Sequence, residues 1–94
     1  MTTREFKTSI NLEARTVALF VQNASRFSSR LLIKRGDMEV NCKSIMGVVS
    51  MSIREGEKLT ITAEGTDAEE AVTALLKLLT ETKEKEQEAW IYND

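Results

Sequence analysis

Two short stretches of the chain bring together side chains able to do chemistry. In Asn11-Leu12-Glu13-Ala14-Arg15 a carboxylate and a guanidinium stand two residues apart. A local Glu13–Arg15 ion pair is the plainer reading; contact of Arg15 with a phosphate or a partner's acid is the other. In Cys42-Lys43-Ser44 a thiol, an ammonium and a hydroxyl follow one another. Nothing pairs the thiol with a base or a second thiol, so Cys42 reads as a small hydrophobe ending a strand. Ser44 stands directly before Ile45-Met46-Gly47-Val48-Val49, a short apolar run with helical character. There its hydroxyl can accept a backbone N–H and cap the helix. Phosphorylated, it would place about −1.5 to −2 charge at the positive end of the helix dipole. On the residues alone the ordinary cap is the stronger reading, and a switch needs further support.

Composition removes other chemistries. The 94 residues include no histidine and one cysteine. No Ser/His or Cys/His nucleophile pair, imidazole metal cluster or internal disulfide framework can be built from them, and no metal or cofactor is expected. Hydrophobic residues make up 41% and charged residues 30%, which suits a folded globular domain rather than a disordered chain. The formal charge of −2 is unevenly spread. Residues 81–94 hold five acids and two bases, a net −3, leaving residues 1–80 at +1. Neither part has the basic excess that direct nucleic-acid binding requires. MTTREFKTSI holds no apolar run able to serve as a signal peptide, and no stretch approaches the roughly 20 apolar residues that span a bilayer. A cytoplasmic domain without membrane contact is expected.

The elements that must position these residues follow from periodicity. Glu5 to Ile10 reads as a strand with Phe6, Thr8 and Ile10 on one face. From Ala14, the residues Val17, Phe20, Val21, Ala24 and Phe27 recur at spacings of three and four and predict a helix with one apolar stripe. Arg30–Arg35, a turn at Gly36-Asp37 and Met38–Cys42 form a predicted hairpin. After the short helix beyond Ser44, Lys58–Ala63 alternates as a strand. Asp67 with Glu70 reads as a capping box for a last helix whose stripe is Ala68, Ala71, Val72, Leu75, Leu78 and Leu79. Gly47 interrupts the second helix, a cost to stability unless something approaches closely there. The predicted order is βαββαβα: an α+β open-faced sandwich, a four-stranded antiparallel sheet covered on one face by three helices. The domain is expected over residues 1–82. Residues 83–94 form a charged extension, solvated or frayed, ending in Trp90-Ile91-Tyr92, which could fold back on the sheet, self-associate or be inert.

The segment Asn41-Cys42-Lys43-Ser44-Ile45-Met46-Gly47 resembles the regulatory-serine region of the HPr family of the bacterial phosphotransferase system. Val21–Phe27 and Gly65–Ala71 are similar to the family in the same order and spacing, so the resemblance covers about residues 4 to 80. HPr proteins carry Gly-Leu-His-Ala-Arg-Pro-Ala before the first helix, and the histidine accepts a phosphoryl group. Here Glu13 stands at the histidine position and Thr16 replaces the proline. The chain is similar in logic to Crh-like catabolite-repression proteins, which also lack the histidine. The resemblance implies phosphorylation of Ser44 by HPr kinase/phosphorylase and binding of the phosphorylated form to a LacI-type regulator. It also implies a protein without enzymatic activity of its own. Expected partner contacts are Glu13, Arg15, Phe20, Lys43, Ile45, Met46 and Val49, the last three being either simple core or a docking surface. Glu13 would cap the first helix or imitate the charge of a phosphohistidine. A phosphocarrier and a phosphorylation-independent adaptor are the alternatives, and the assembly is expected to be a monomer or a weak dimer.

Overall fold

A computed structural model describes the backbone of residues 1–92 and the side chains of residues 1–80. The elements are β1 (Thr2–Lys7), α1 (Ala14–Ala24), β2 (Arg30–Arg35), β3 (Met38–Asn41), α2 (Ile45–Ser50), β4 (Lys58–Glu64) and α3 (Ala68–Tyr92). The four strands form one sheet in the order β1-β4-β2-β3, every neighbouring pair antiparallel. Alternation along β2 and β4 buries Leu31, Ile33, Leu59, Ile61 and Ala63 against the helices. Leu32, Lys34, Thr60 and Thr62 fall at the intervening positions and are exposed or half-buried. Across the core, α1 contributes Val17, Phe20, Val21 and Ala24, and α3 contributes Ala68, Ala71, Val72, Leu75 and Leu79. The βαββαβα sandwich expected from the sequence is therefore the observed fold.

Three local expectations are corrected. The first strand ends at Lys7, not Ile10, because its register partner Lys58 is the first residue of β4. Beyond it Thr8 and Ile10 are still buried, as expected, but they leave the sheet. The Thr8 and Ser9 N–H groups donate to Glu57 C=O at 3.1 Å and to Leu79 C=O at 2.8 Å. The apolar stripe of α1 stops at Ala24; Phe27 lies past the helix end in a turn, its N–H donating to Ala24 C=O at 3.2 Å, and packs partly buried on the core. The Asp67 carboxylate is committed elsewhere than to a local capping box. It accepts from the Ser28 and Ser29 N–H groups at 2.9 and 3.0 Å, and from both serine hydroxyls. These partners lie 38 and 39 residues away, so no local pattern could point to them.

That contact latches the start of α3 to the turn before β2. Gly65 makes the approach possible: with φ +148°, a Cβ there would lie 2.8 Å from the Ser29 Cα and 2.5 Å from its Oγ. The Ser29 hydroxyl, then the Ser28 N–H, holds the Asp67 carboxyl down at about 2 against its ordinary 3.8. Because the folded pKa is the lower one, the latch stabilises the fold above the ordinary value and is lost as pH falls through the lowered one. Asp67→Asn is therefore expected to lower the thermal midpoint at neutral pH, with a deficit against wild type that shrinks as pH falls from about 3.8 towards about 2. Thermal unfolding followed by circular dichroism over that range checks this, and a pH-independent deficit contradicts it.

Candidate functional site

Ser44 is the N-cap of α2, in extended conformation at φ −103° and ψ 112°, and its hydroxyl oxygen accepts the Gly47 N–H at 3.0 Å. The turn that delivers it is set one residue earlier, where Asn41 Oδ1 accepts the Lys43 N–H at 2.8 Å. Gly47 has the close approach its position implied. A Cβ there would lie 3.2 Å from both Ser44 Oγ and Val40 Cβ, pressing on the capping hydroxyl and on β3. At the other end of α2, the Arg35 guanidinium donates to the C=O of the C-cap Met51 at 2.7 Å and pairs with Glu57 at 3.0 Å. Glu57 in turn accepts the Arg54 N–H at 2.6 Å. Sequence reading missed this role of Arg35, which depends on a residue 16 positions away.

Between these pins α2 turns Val48 into the core and leaves Ile45, Met46 and Val49 exposed at 55, 80 and 48%. That decides the question left open for these three: they are surface, not core. Lys43 is half-buried, its ammonium donating to Phe27 C=O at 2.7 Å just past the end of α1. Its charge thus ties the site to α1 as well as bordering Ser44. Phe20, expected among the partner contacts, is fully buried and is corrected to a core residue; its place on the inward stripe of α1 carries that role. Cys42 is also fully buried, and burial pushes its thiol up to about 12, so it stays protonated and packs as a hydrophobe.

Glu13 is the N-cap of α1 and is exposed, as is Arg15 one turn-start later. Ion pairs join Arg35 to Glu57 and Lys58 to Glu5, whereas none joins Glu13 to Arg15 among the described residues. The Thr16 hydroxyl accepts the Glu13 N–H at 2.8 Å and can donate to either of two carbonyls, Glu13 C=O at 3.0 Å or Asn11 C=O at 3.1 Å. This bond fixes the first turn at the point where Thr16 stands. Glu13 borders a groove of about 330 Å³ whose walls also include Val17 of α1, Val49 of α2, and Ser52, Ile53 and Arg54 of the following loop. Two bonds zip that loop to the residues before α1: Leu12 N–H to Ile53 C=O at 2.9 Å, and Glu55 N–H to Asn11 Oδ1 at 2.7 Å. Ser52 has φ +49°, a left-handed conformation that turns the chain out of α2. Among the described residues no helix is long and apolar enough to cross a membrane.

The site therefore consists of an acidic helix N-cap bordering a groove and a capping serine beside an exposed apolar ridge, both at ends of the two shorter helices. Comparison with known proteins bears on this arrangement directly. The family description "PTS HPr component phosphorylation site" matches residues 3–81. The HPr-like protein Crh of Halalkalibacterium halodurans is 44% identical over 75 residues, covering 80% of this chain and 89% of that protein. The structure of the phosphocarrier protein HPr from Bacillus anthracis superposes with a TM-score of 0.81 at 42% identity, covering 84% of this chain and 96% of that one. The Bacillus subtilis Crh structure, described as a swapped dimer, matches with a TM-score of 0.68 at 40% identity, covering 79% and 83% of the two chains. With its fold, its serine-capped second helix and these matches, the chain belongs to the HPr family, whose relatives include both phosphocarriers and Crh-like proteins.

Proposed function

We propose that this chain is a regulatory phosphoprotein of the HPr/Crh kind, acting in the cytoplasm in carbon catabolite repression. HPr kinase/phosphorylase phosphorylates it on Ser44, and the phosphorylated form binds a LacI-type transcriptional regulator. The observation that carries this reading is the position of Ser44: a half-buried helix cap directly followed by the exposed Ile45 and Met46. A phosphate esterified to that hydroxyl sits where α2's unpaired N–H groups and dipole favour negative charge. It joins the apolar ridge to form one composite surface, charge beside methionine and isoleucine, without refolding the domain. Phosphorylation in this reading creates a recognition element and not a new fold. Methionine, flexible and polarizable, suits a surface that must fit both a kinase and a regulator. Arg15 lies exposed on α1, free to take an acid or a phosphate in a bidentate contact.

Relay through position 13 is absent from this proposal. A phosphoramidate needs an imidazole nitrogen, and the chain holds no histidine. An acyl phosphate on Glu13 would need cationic neutralisation, and no ion pair holds Arg15 against that carboxylate among the described residues. Glu13 instead places a fixed negative charge at the N-terminus of α1, a stabilising position for it. A second reading is favoured by one observation: the Ile45–Met46–Val49 ridge is already exposed without phosphate, as an adaptor that docks partners unmodified would require.

Two outcomes are expected. With HPr kinase/phosphorylase and ATP, the wild type takes up phosphate and Ser44→Ala takes none; uptake by both proteins contradicts the proposal. Ser44→Ala also loses the cap to Gly47 and is expected to be less stable by about 1 kcal/mol in urea titration, with Ser44→Asp restoring most of it. For docking, Met46→Asp, a change at an exposed position, leaves the melting temperature nearly unchanged while abolishing binding of the phosphorylated protein to the regulator. Binding that survives Met46→Asp contradicts the ridge as the contact, and binding of unphosphorylated wild type favours the adaptor reading.

A further inference from the structure

The chain's only tryptophan and only tyrosine lie together in Trp90-Ile91-Tyr92, beyond residue 81 where the family match ends. Ten residues, Thr80 to Ala89, separate this cluster from Leu79, and Ala89 alone among them is apolar. Among the described residues, Leu79 is the last of α3 that the core buries. Its C=O is held by the Ser9 N–H at 2.8 Å and by the Thr8 hydroxyl at 3.3 Å. The same segment runs on through Asn11 and Leu12, which bond Glu55 and Ile53 beside the groove. The root of the tail and the groove that Val49 borders are therefore at one end of the molecule.

We propose that Trp90-Ile91-Tyr92 of one copy seats on the Ile45–Met46–Val49 ridge of a second copy, each tail crossing to the other's ridge. The backbone of α3 continues as helix to Tyr92. At the helical rise, eleven residues span roughly 16 Å, a reach long enough to meet a second copy. A ridge with Met46 80% exposed and Ile45 55% exposed is an apolar surface in want of a cover. Tryptophan and tyrosine carry the largest apolar area for such a contact together with a polar edge that tolerates the rim. Charge points the same way: the tail carries −3 and residues 1–80 carry +1, so tail-to-body contact between copies joins opposite signs. Because tail root and ridge share one end, a two-fold axis at that end makes the two contacts identical and closes the assembly as a dimer. The inference concerns the unphosphorylated chain and does not rest on the proposed function.

The single tryptophan makes the test direct. Sedimentation equilibrium and Trp90 emission are followed together on dilution of the full chain. A dimer that dissociates on dilution, with emission moving to the red in step, is expected. Met46→Asp and Trp90→Ala are each expected to sediment as monomers where the wild type is dimeric, and Met46→Asp to emit at the red position at every concentration. Circular dichroism spectra matching the wild type confirm that both variants fold. A wild type monomeric throughout overturns the proposal, as does a dimer that survives both substitutions, the result expected of strand exchange. Blue-shifted emission independent of dilution, with a monomer mass, overturns it in favour of a tail folded on its own domain.

Discussion

A six-residue helix cannot hold itself, and the requirement that α2 be pinned from outside organises the functional end of this protein. At its N-terminus the pin is the Ser44 hydroxyl on the Gly47 N–H; at its C-terminus it is the Arg35 guanidinium on the Met51 carbonyl. Burial of Val48 and Met51 fixes which way the helix faces. With those three constraints met, Ile45, Met46 and Val49 have nowhere to go but outward. The serine that fixes the helix is thus also the group whose modification would alter the surface beside it. Under the proposed function, structural cap and regulatory switch would be the same atom in two covalent states, and a site built this way would need no separate device to report its modification. The glycine at position 47 is part of the same constraint, since a methyl there would press on the capping oxygen and on Val40.

The N-terminus of α1 is held by geometry that does not depend on the chemistry of the residue standing there. Residue 13 caps α1 in extended conformation and borders a groove walled by the loop after α2. A carboxylate offers two oxygens but no nitrogen nucleophile, and the Thr16 hydroxyl now accepts the Glu13 N–H in the first turn. The scaffold that would present a phosphoryl acceptor is retained by the loop zipper through Leu12, Ile53, Asn11 and Glu55, none of which depends on the identity of residue 13. Under the proposed function, a carboxylate at position 13 carries little structural penalty, because the groove beside it is held by other residues.

Periodicity made most of the fold legible, because period-two and period-3.6 apolar spacing reflects the one buried face of each strand and helix. The core of β2, β4, α1 and α3 follows from it directly. The Ser44 cap was equally visible, since an N-cap is a local feature of one hydroxyl before an apolar run. What stayed hidden is non-local. Asp67 looked like half of a capping box, yet it binds two serines across the fold; Arg35 looked like the end of a strand, yet it caps a helix 16 residues on. Phe20 was misjudged as a contact residue although its own stripe marked it as core. Whether Ile45, Met46 and Val49 were inside or outside could not be read from their apolarity. The answer depended on Val48 and Met51 taking the inward positions.

The central claim is that the chain keeps the serine switch and has lost the phosphorelay. Mapping the phosphorylated residue by mass spectrometry, after separate incubation with phosphoenolpyruvate plus enzyme I and with ATP plus HPr kinase/phosphorylase, tests it most directly. The account predicts an unchanged mass in the first reaction and a single phosphate on Ser44 in the second. Phosphoryl transfer from enzyme I to Glu13, or a kinase product carrying its phosphate anywhere but Ser44, would contradict it.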